Sequence, residues 1–105
     1  GYFKQETSAL GRYIGIYQDQ QLVAVSGERM KMKGFTEISA IVTHPDYTGR
    51  GYAKQLIKHC TKNIFEEGKT PYLHVVESNV AAINLYENLG FFTRRKISFW
   101  KLAKI

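Results

Sequence analysis

The stretch Thr43-His-Pro-Asp-Tyr-Thr-Gly-Arg-Gly-Tyr-Ala53 constrains this chain more than any other. Ahead of it, Ile38, Ala40 and Val42 alternate with Glu37, Ser39 and Ile41, the pattern of a largely buried strand. Behind it, Ala53, Leu56, Ile57, Cys60 and Ile64 recur at helical spacing. A strand that turns directly into a long amphipathic helix commits the chain to a layered α/β arrangement. The turn also directs unpaired backbone N–H groups and the positive end of a helix dipole to one point, a setting suited to phosphate or pyrophosphate. Gly-x-Gly alone favours the plainer reading, a connection whose glycines only permit tight geometry, and only its context can overturn that.

Around this unit the remaining elements follow from pattern and punctuation. Residues Gly1 to Gly11 carry little periodicity and read as a lead-in loop or short turn. Arg12 to Tyr17 alternates as a strand, Gln18-Asp19-Gln20 suits a hairpin turn, and Gln21 to Met30 supplies a second strand. Lys31 to Gly34 makes another turn before the strand from Phe35 to Thr43. Such short connections join antiparallel neighbours. The helix from about Gly51 to Glu67 ends at Gly68 as a glycine cap, and Pro71 to Val76 reads as a strand parallel to the preceding one. A second helix spans about Val80 to Leu89, with Asn79 or Ser78 as N-cap and Gly90 past its end. Phe91 to Leu102 reads as a final strand or hairpin. The order is strand-strand-strand-helix-strand-helix-strand.

Composition narrows the class. A chain of 105 residues with 44% hydrophobic content forms a single domain with one core. No run approaches the ~20 apolar residues of a membrane span, and no signal-like region opens the chain, so a cytoplasmic protein without membrane contact is expected. The lone Cys60 leaves no disulfide and no Cys-x-x-Cys pair. His44 and His59 lack the spacing for a metal site with His74, and no metal is expected. The net charge of +6 suits phosphate-bearing partners in general. The basic residues are dispersed, however, and lack the aromatic interleaving of a nucleic-acid surface, which makes nucleic acid an unlikely partner.

Two motifs, taken together and in order, resemble the GNAT superfamily of acyl-CoA-dependent N-acetyltransferases. The first is His44-Pro45-Asp46-Tyr47 followed by Thr48-Gly49-Arg50-Gly51-Tyr52-Ala53, similar to the family's Arg/Gln-x-x-Gly-x-Gly/Ala turn, with Thr48 where Arg or Gln is usual. The second is Asn79-x-x-Ala82-x-x-Leu85-Tyr86-x-x-Leu89-Gly90-Phe91, preceded by Glu77-Ser78, similar to the family's second signature. The run Gly27 to Met30 with Thr36 to Ser39 also looks like the branch related to the C-terminal domains of glycine N-acyltransferase-like proteins.

The resemblance implies an α/β fold: a GNAT-like mixed sheet with antiparallel N-terminal strands and a central strand-helix-strand-helix-strand unit. Family members begin with another strand and two helices, for which the residues present leave no sequence. Residues 1–105 are therefore expected to form one domain, shortened at its N-terminal side.

The resemblance further implies acetyl-CoA as co-substrate and a primary amine, on a small molecule or a protein N-terminus, as acceptor. The backbone of Ile41, Val42 and Thr43 would pair with the pantetheine arm, and a backbone N–H near Val42 would polarise the thioester carbonyl. Thr48, Gly49, Arg50, Gly51, Tyr52 and Ala53 would hold the pyrophosphate, with Arg50, Lys54 and Lys58 near the cofactor phosphates. Asn79 and Ala82 belong to the cofactor site, where Asn79 would cap its helix or bond the arm. Tyr86 matches the family tyrosine proposed as general acid. His74 and Glu37 are level candidates for the general base, and Glu28 is a weaker third; relatives that acetylate a ribosomal-protein alanine carry a glutamate at the position equivalent to His74. Dimerisation through an uncovered last strand is a further possibility. A competing reading is a cofactor-binding module without independent catalysis.

Overall fold

In the computed structural model, residues 2–8, 11–39, 41–76, 78–95 and 98–100 are described. The strands are β1 (Tyr2–Ser8), β2 (Gly11–Gln18), β3 (Gln21–Met32), β4 (Phe35–Ile38), β5 (Val42–Thr43), β6 (Thr70–His74), β7 (Phe92–Arg95) and β8 (Ser98–Trp100). The helices are α1 (Tyr52–Glu66) and α2 (Val80–Asn88), and a short 3-10 turn covers Pro45–Tyr47. The sheet runs β1-β2-β3-β4-β6-β8-β7, with β5 also paired to β3. Only β4 and β6 are parallel among these pairs, joined across α1 as the sequence predicts.

Alternation sorts the sheet into two faces. Ile14, Ile16, Ala24, Ile38 and Leu73 are buried together with Leu56, Ile57, Cys60 and Ile64 of α1. The α1 stripe recurs at three- and four-residue intervals, so one helix face meets one sheet face. Glu28 lies on this α1 face. Arg12 bonds its Oε2 through Nε at 2.7 Å and also through Nη2, while Lys31 Nζ stands 3.1 Å from Oε1. The weaker base candidate is thus engaged in an ion-pair cluster with cations of β2 and β3.

The chain departs from the sequence expectation at four places. Residues 2–8 form a strand rather than a lead-in loop, antiparallel to β2 from Tyr2↔Tyr17 to Ser8↔Gly11. It is an edge strand, so polar residues suffice, and its contacts to α1 include Phe3 against His59 at 4.9 Å and Gln5 Oε1 accepting from Asn63 at 3.0 Å. The described chain thus opens on a strand paired directly with β2. Among the described residues, the α-helices are the two that the sequence predicts.

The strand expected over Phe35 to Thr43 is split into β4 and β5. Between the pairs Glu28↔Ile38 and Val25↔Val42, β3 advances three residues and its partner four. One extra residue therefore bulges out and bends the strand. Beyond the last β4–β6 pair, Glu37↔Tyr72, β5 stays with β3 and β6 stays with β8, so the sheet forks. The strand placed over Pro71 to Val76 is observed as Thr70–His74.

The final segment is a hairpin, β7 with β8, and β8 lies between β6 and β7. The edge at this end of the sheet belongs to β7 rather than to the last strand, which corrects the site suggested for dimer contact. Ala40, Glu77 and the part of the final-strand expectation that covers residues 96–97 and 101–102 lie outside the described residues. Among the described residues, no helix is long and apolar enough to cross a membrane.

Candidate functional site

The turn from Thr43 to Ala53 is held by its own side chains. His44 Nδ1 accepts from the Asp46 N–H at 3.1 Å, and the Thr48 hydroxyl donates to the Pro45 carbonyl at 3.3 Å. The Arg50 guanidinium sits over the Tyr47 ring at 4.7 Å, and His44 meets the same ring edge-on at 5.5 Å. Gly49 and Gly51 take φ of 75° and 80°, left-handed values that glycine adopts without a side-chain penalty. A Cβ built on either would meet nothing within 4 Å, so both face open space.

Gly51 caps α1 without any side-chain bond, and the first turn carries no acidic residue. The leading N–H groups of α1 thus lack the side-chain acceptor that most helices provide. The other helix start differs: Asn79 Oδ1 accepts from the Ala82 N–H at 3.2 Å. Of the two roles considered for Asn79, the cap is present in the structure.

A groove of about 400 Å³ opens at the turn, lined by Thr43, Tyr47, Thr48, Gly49, Gly51, Tyr52, Ala53, Lys54 and Leu85. A second, of about 450 Å³, runs between α1 and α2 and is lined by Lys54, Ile57, Lys58, Thr61, Leu85, Asn88, Leu89 and Gly90. Lys54 and Leu85 border both, so the two grooves adjoin at these residues. Leu85, Asn88 and Thr61 were not among the expected site residues. Their spacing holds the missed signal: Lys54, Ile57, Lys58 and Thr61 form one stripe of α1, and Leu85, Asn88 and Leu89 form one of α2.

On the other side of the turn lies the fork in the sheet. The His44 N–H donates to the Val23 carbonyl at 2.7 Å, so by antiparallel alternation the Val42↔Val25 rung is also bonded and Thr43 turns its backbone away from β3. The outward backbone at Thr43 faces the gap left by the diverging β6. Val42 and Val76, on the two arms of the fork, are both exposed.

Tyr86 is buried, 8% exposed, in the last turn of α2. Burial pushes its phenol above the ordinary range, so it carries its proton at neutral pH. Glu37 and His74, the two rival base candidates, are brought together: Glu37 Oε2 lies 2.9 Å from His74 Nδ1. They lie on the face of the sheet opposite α1, beside Tyr72, whose phenol is raised by burial and then by the Glu37 charge. Among the described residues, no three His, Cys, Asp or Glu side chains are grouped as metal ligands would be.

Comparison with known proteins agrees with this arrangement. The family model described as FR47-like protein matches residues 13–100. A curated acetyltransferase of Yersinia pestis (strain Pestoides F) is 40% identical over 60 residues, which cover 55% of this chain and 42% of that protein. A crystal structure from Novosphingobium aromaticivorans, described as an acetyltransferase of the GNAT family, superposes with a TM-score of 0.81 at 39% identity, over 90% of this chain and 44% of that one. A Salmonella typhimurium structure determined with acetyl-CoA superposes with a TM-score of 0.75 at 17% identity, over 90% of this chain and 65% of that one, and shares the fold. The matched stretch thus spans less than half the length of the curated relative.

Proposed function

The chain belongs to the FR47-like family and has the fold of GNAT acetyltransferases, and on that premise we propose that it transfers acetyl from acetyl-CoA to a primary amine by direct attack. The observation that carries the reading is the groove at the glycine turn, against the uncapped start of α1, adjoining the α1–α2 groove at Lys54 and Leu85. A co-substrate with an anionic diphosphate in its middle and an extended arm matches a groove with uncapped helix N–H groups.

In this reading the amides from Gly49 to Ala53 and the start of α1 receive the pyrophosphate, with Thr48 contributing backbone rather than a cation. Arg50, Lys54 and Lys58 supply positive charge for the phosphates, and Lys54 and Lys58 already line the α1–α2 groove. The arm enters the fork and runs along Ile41, Val42 and Thr43 as an added strand would, meeting the outward backbone at Thr43. Asn79 and Ala82 border its far side. A backbone N–H near Val42 polarises the thioester carbonyl. The Tyr86 phenol, protonated at neutral pH, gives a hydrogen bond or proton to the departing sulfur. The general base belongs to the Glu37–His74 pair. The acceptor is a small-molecule amine or a protein N-terminus.

Calorimetric titration with acetyl-CoA tests the binding half of this proposal: a folded sample that gives no saturable heat refutes it. Thiol release across a panel of amines tests the transfer half. A chain that binds acetyl-CoA and releases no thiol is a cofactor-binding module, the reading favoured if the acceptor side requires the portion of the relatives that this chain does not match.

A further inference from the structure

The geometry points to a histidine–glutamate dyad in which His74 Nε2 is the general base and Glu37 is the residue that positions it, an assignment that rests on the acetyl-transfer reading above. Glu37 stands on the last rung of the parallel β4–β6 pairing, opposite Tyr72. His74 lies two residues beyond Tyr72, on the same face and one step into the fork. The pair therefore sits at the vertex of the gap that the thioester is proposed to enter.

Exposure separates the two roles. The Glu37 side chain is 7% exposed and that of His74 is 46% exposed. An incoming amine can reach the imidazole but not the carboxylate. A buried carboxylate is costly unless a donor satisfies it, and the donor at 2.9 Å is His74 Nδ1–H. That bond fixes the tautomer: with the proton on Nδ1, the lone pair is on Nε2, at the opposite side of the ring. The Tyr72 ring meets the imidazole edge-on at 5.8 Å and restrains its plane. Glu28 offers no alternative, because it is engaged by Arg12 and Lys31 on the other face.

The proton count closes. An acceptor arriving as ammonium gives one proton to Nε2, which passes it to solvent while Glu37 stabilises the imidazolium. The freed nitrogen lone pair forms the N–C bond, and the C–S bond breaks. The sulfur takes a proton through the Tyr86 hydroxyl, balanced by the second proton lost from nitrogen as the amide forms.

Three measurements on the whole chain decide the matter. The 15N shifts of the neutral His74 imidazole should report Nδ1–H in the wild type and a shift toward Nε2–H in Glu37→Gln. With the best amine of a panel, His74→Gln should lower kcat about 100-fold, Glu37→Gln about 10- to 100-fold, and the double variant no further than His74→Gln. Acetyl-CoA affinity, read by calorimetry, should stay within about threefold, since neither side chain is assigned to cofactor binding. An Nε2–H tautomer in the wild type overturns the dyad, and so do single-variant losses that multiply in the double variant. If Glu37→Gln fails to fold, the wild-type tautomer and the exposed His74→Gln variant still decide. Acetyl-CoA binding without turnover overturns the base role. Absent binding refutes the acetyl-transfer reading instead, and the base role with it, while the tautomer still reports the pairing.

Discussion

The Phe91 N–H donates to the Tyr86 carbonyl at 3.0 Å while the two rings pack with centroids 6.1 Å apart. The Gly90 N–H donates to the Glu87 carbonyl at 3.1 Å, and Gly90 itself takes φ of 94°. Together these bonds make the glycine-dependent stop in which the residue after the glycine folds back on the last helical turn. The Tyr-x-x-Leu-Gly-Phe motif thus has a mechanical meaning. Gly90 ends α2, and the ending holds Phe91 against the ring of the proposed general acid.

Gly90→Ala should therefore act on stability and on Tyr86 together. A side chain at a left-handed φ costs about 1 kcal/mol, which urea denaturation would read directly. Tyr86→Phe keeps the ring and removes only the phenol. It should retain acetyl-CoA binding and lower kcat by about 100-fold. A Tyr86→Phe variant with wild-type turnover would remove the hydroxyl from the mechanism.

Gly51 and Gly34 form a controlled comparison. Both are left-handed, at 80° and 81°, and a Cβ on either meets nothing within 4 Å. Alanine at each should cost a similar amount, about 1 kcal/mol, from backbone strain. Gly51 caps the helix whose N–H groups are proposed to hold the pyrophosphate, whereas Gly34 lies in the β3–β4 turn. Gly51→Ala should weaken acetyl-CoA binding about tenfold or more, a difference of about 1.4 kcal/mol, and Gly34→Ala should not. Equal affinities in the two variants would place the pyrophosphate elsewhere.

The features legible in the sequence are those written locally. The α1 stripe, the Asn79 cap and the glycine stops each need only a few consecutive residues. So does the Asp19-Gln20 hairpin turn, although both residues there take positive φ, at 51° and 68°, without the usual glycine. The strand Tyr2–Ser8 was not legible, because an edge strand of Lys4, Gln5 and Glu6 has little alternation and is defined by its partner. The split at Ile38 and Val42 was equally hidden, since a bulge exists only relative to the register of β3. The Glu37–His74 contact joins residues 37 apart through the parallel rungs of β4 and β6. Sequence identified each residue as a candidate and had no means of pairing them.

Arg12 and Glu28 illustrate a charge cluster whose consequence is stability. The Glu28 side chain is 3% exposed and depends on Arg12 and Lys31, and Arg12 also reaches Glu67 at 3.1 Å. Arg12→Leu leaves the carboxylate with Lys31 alone and should cost about 3 kcal/mol. Adding Glu28→Leu should recover much of that loss, because no unpaired charge then remains buried. Urea denaturation of the single and double variants separates this from simple loss of packing, which the double variant would worsen.

Cys60 provides a pH test of the α1–sheet core. Burial pushes its thiol from 9.0 up to about 11, outweighing the lowering by its bond to Ser26. Between these values the unfolded chain has released the proton and the folded chain retains it. Folding then takes up a proton, so stability falls as pH rises. The contribution is fully present below pH 9 and is lost as pH approaches 11, about 2 to 3 kcal/mol in all. Other groups titrate in the same range, and Cys60→Ala isolates the thiol. The stability difference between wild type and Cys60→Ala should be constant below pH 8.5 and should then move against the wild type as pH rises. Two parallel stability curves up to pH 11 would show that the thiol ionises as easily in the folded chain as in the unfolded one, and that α1 does not seal it from water.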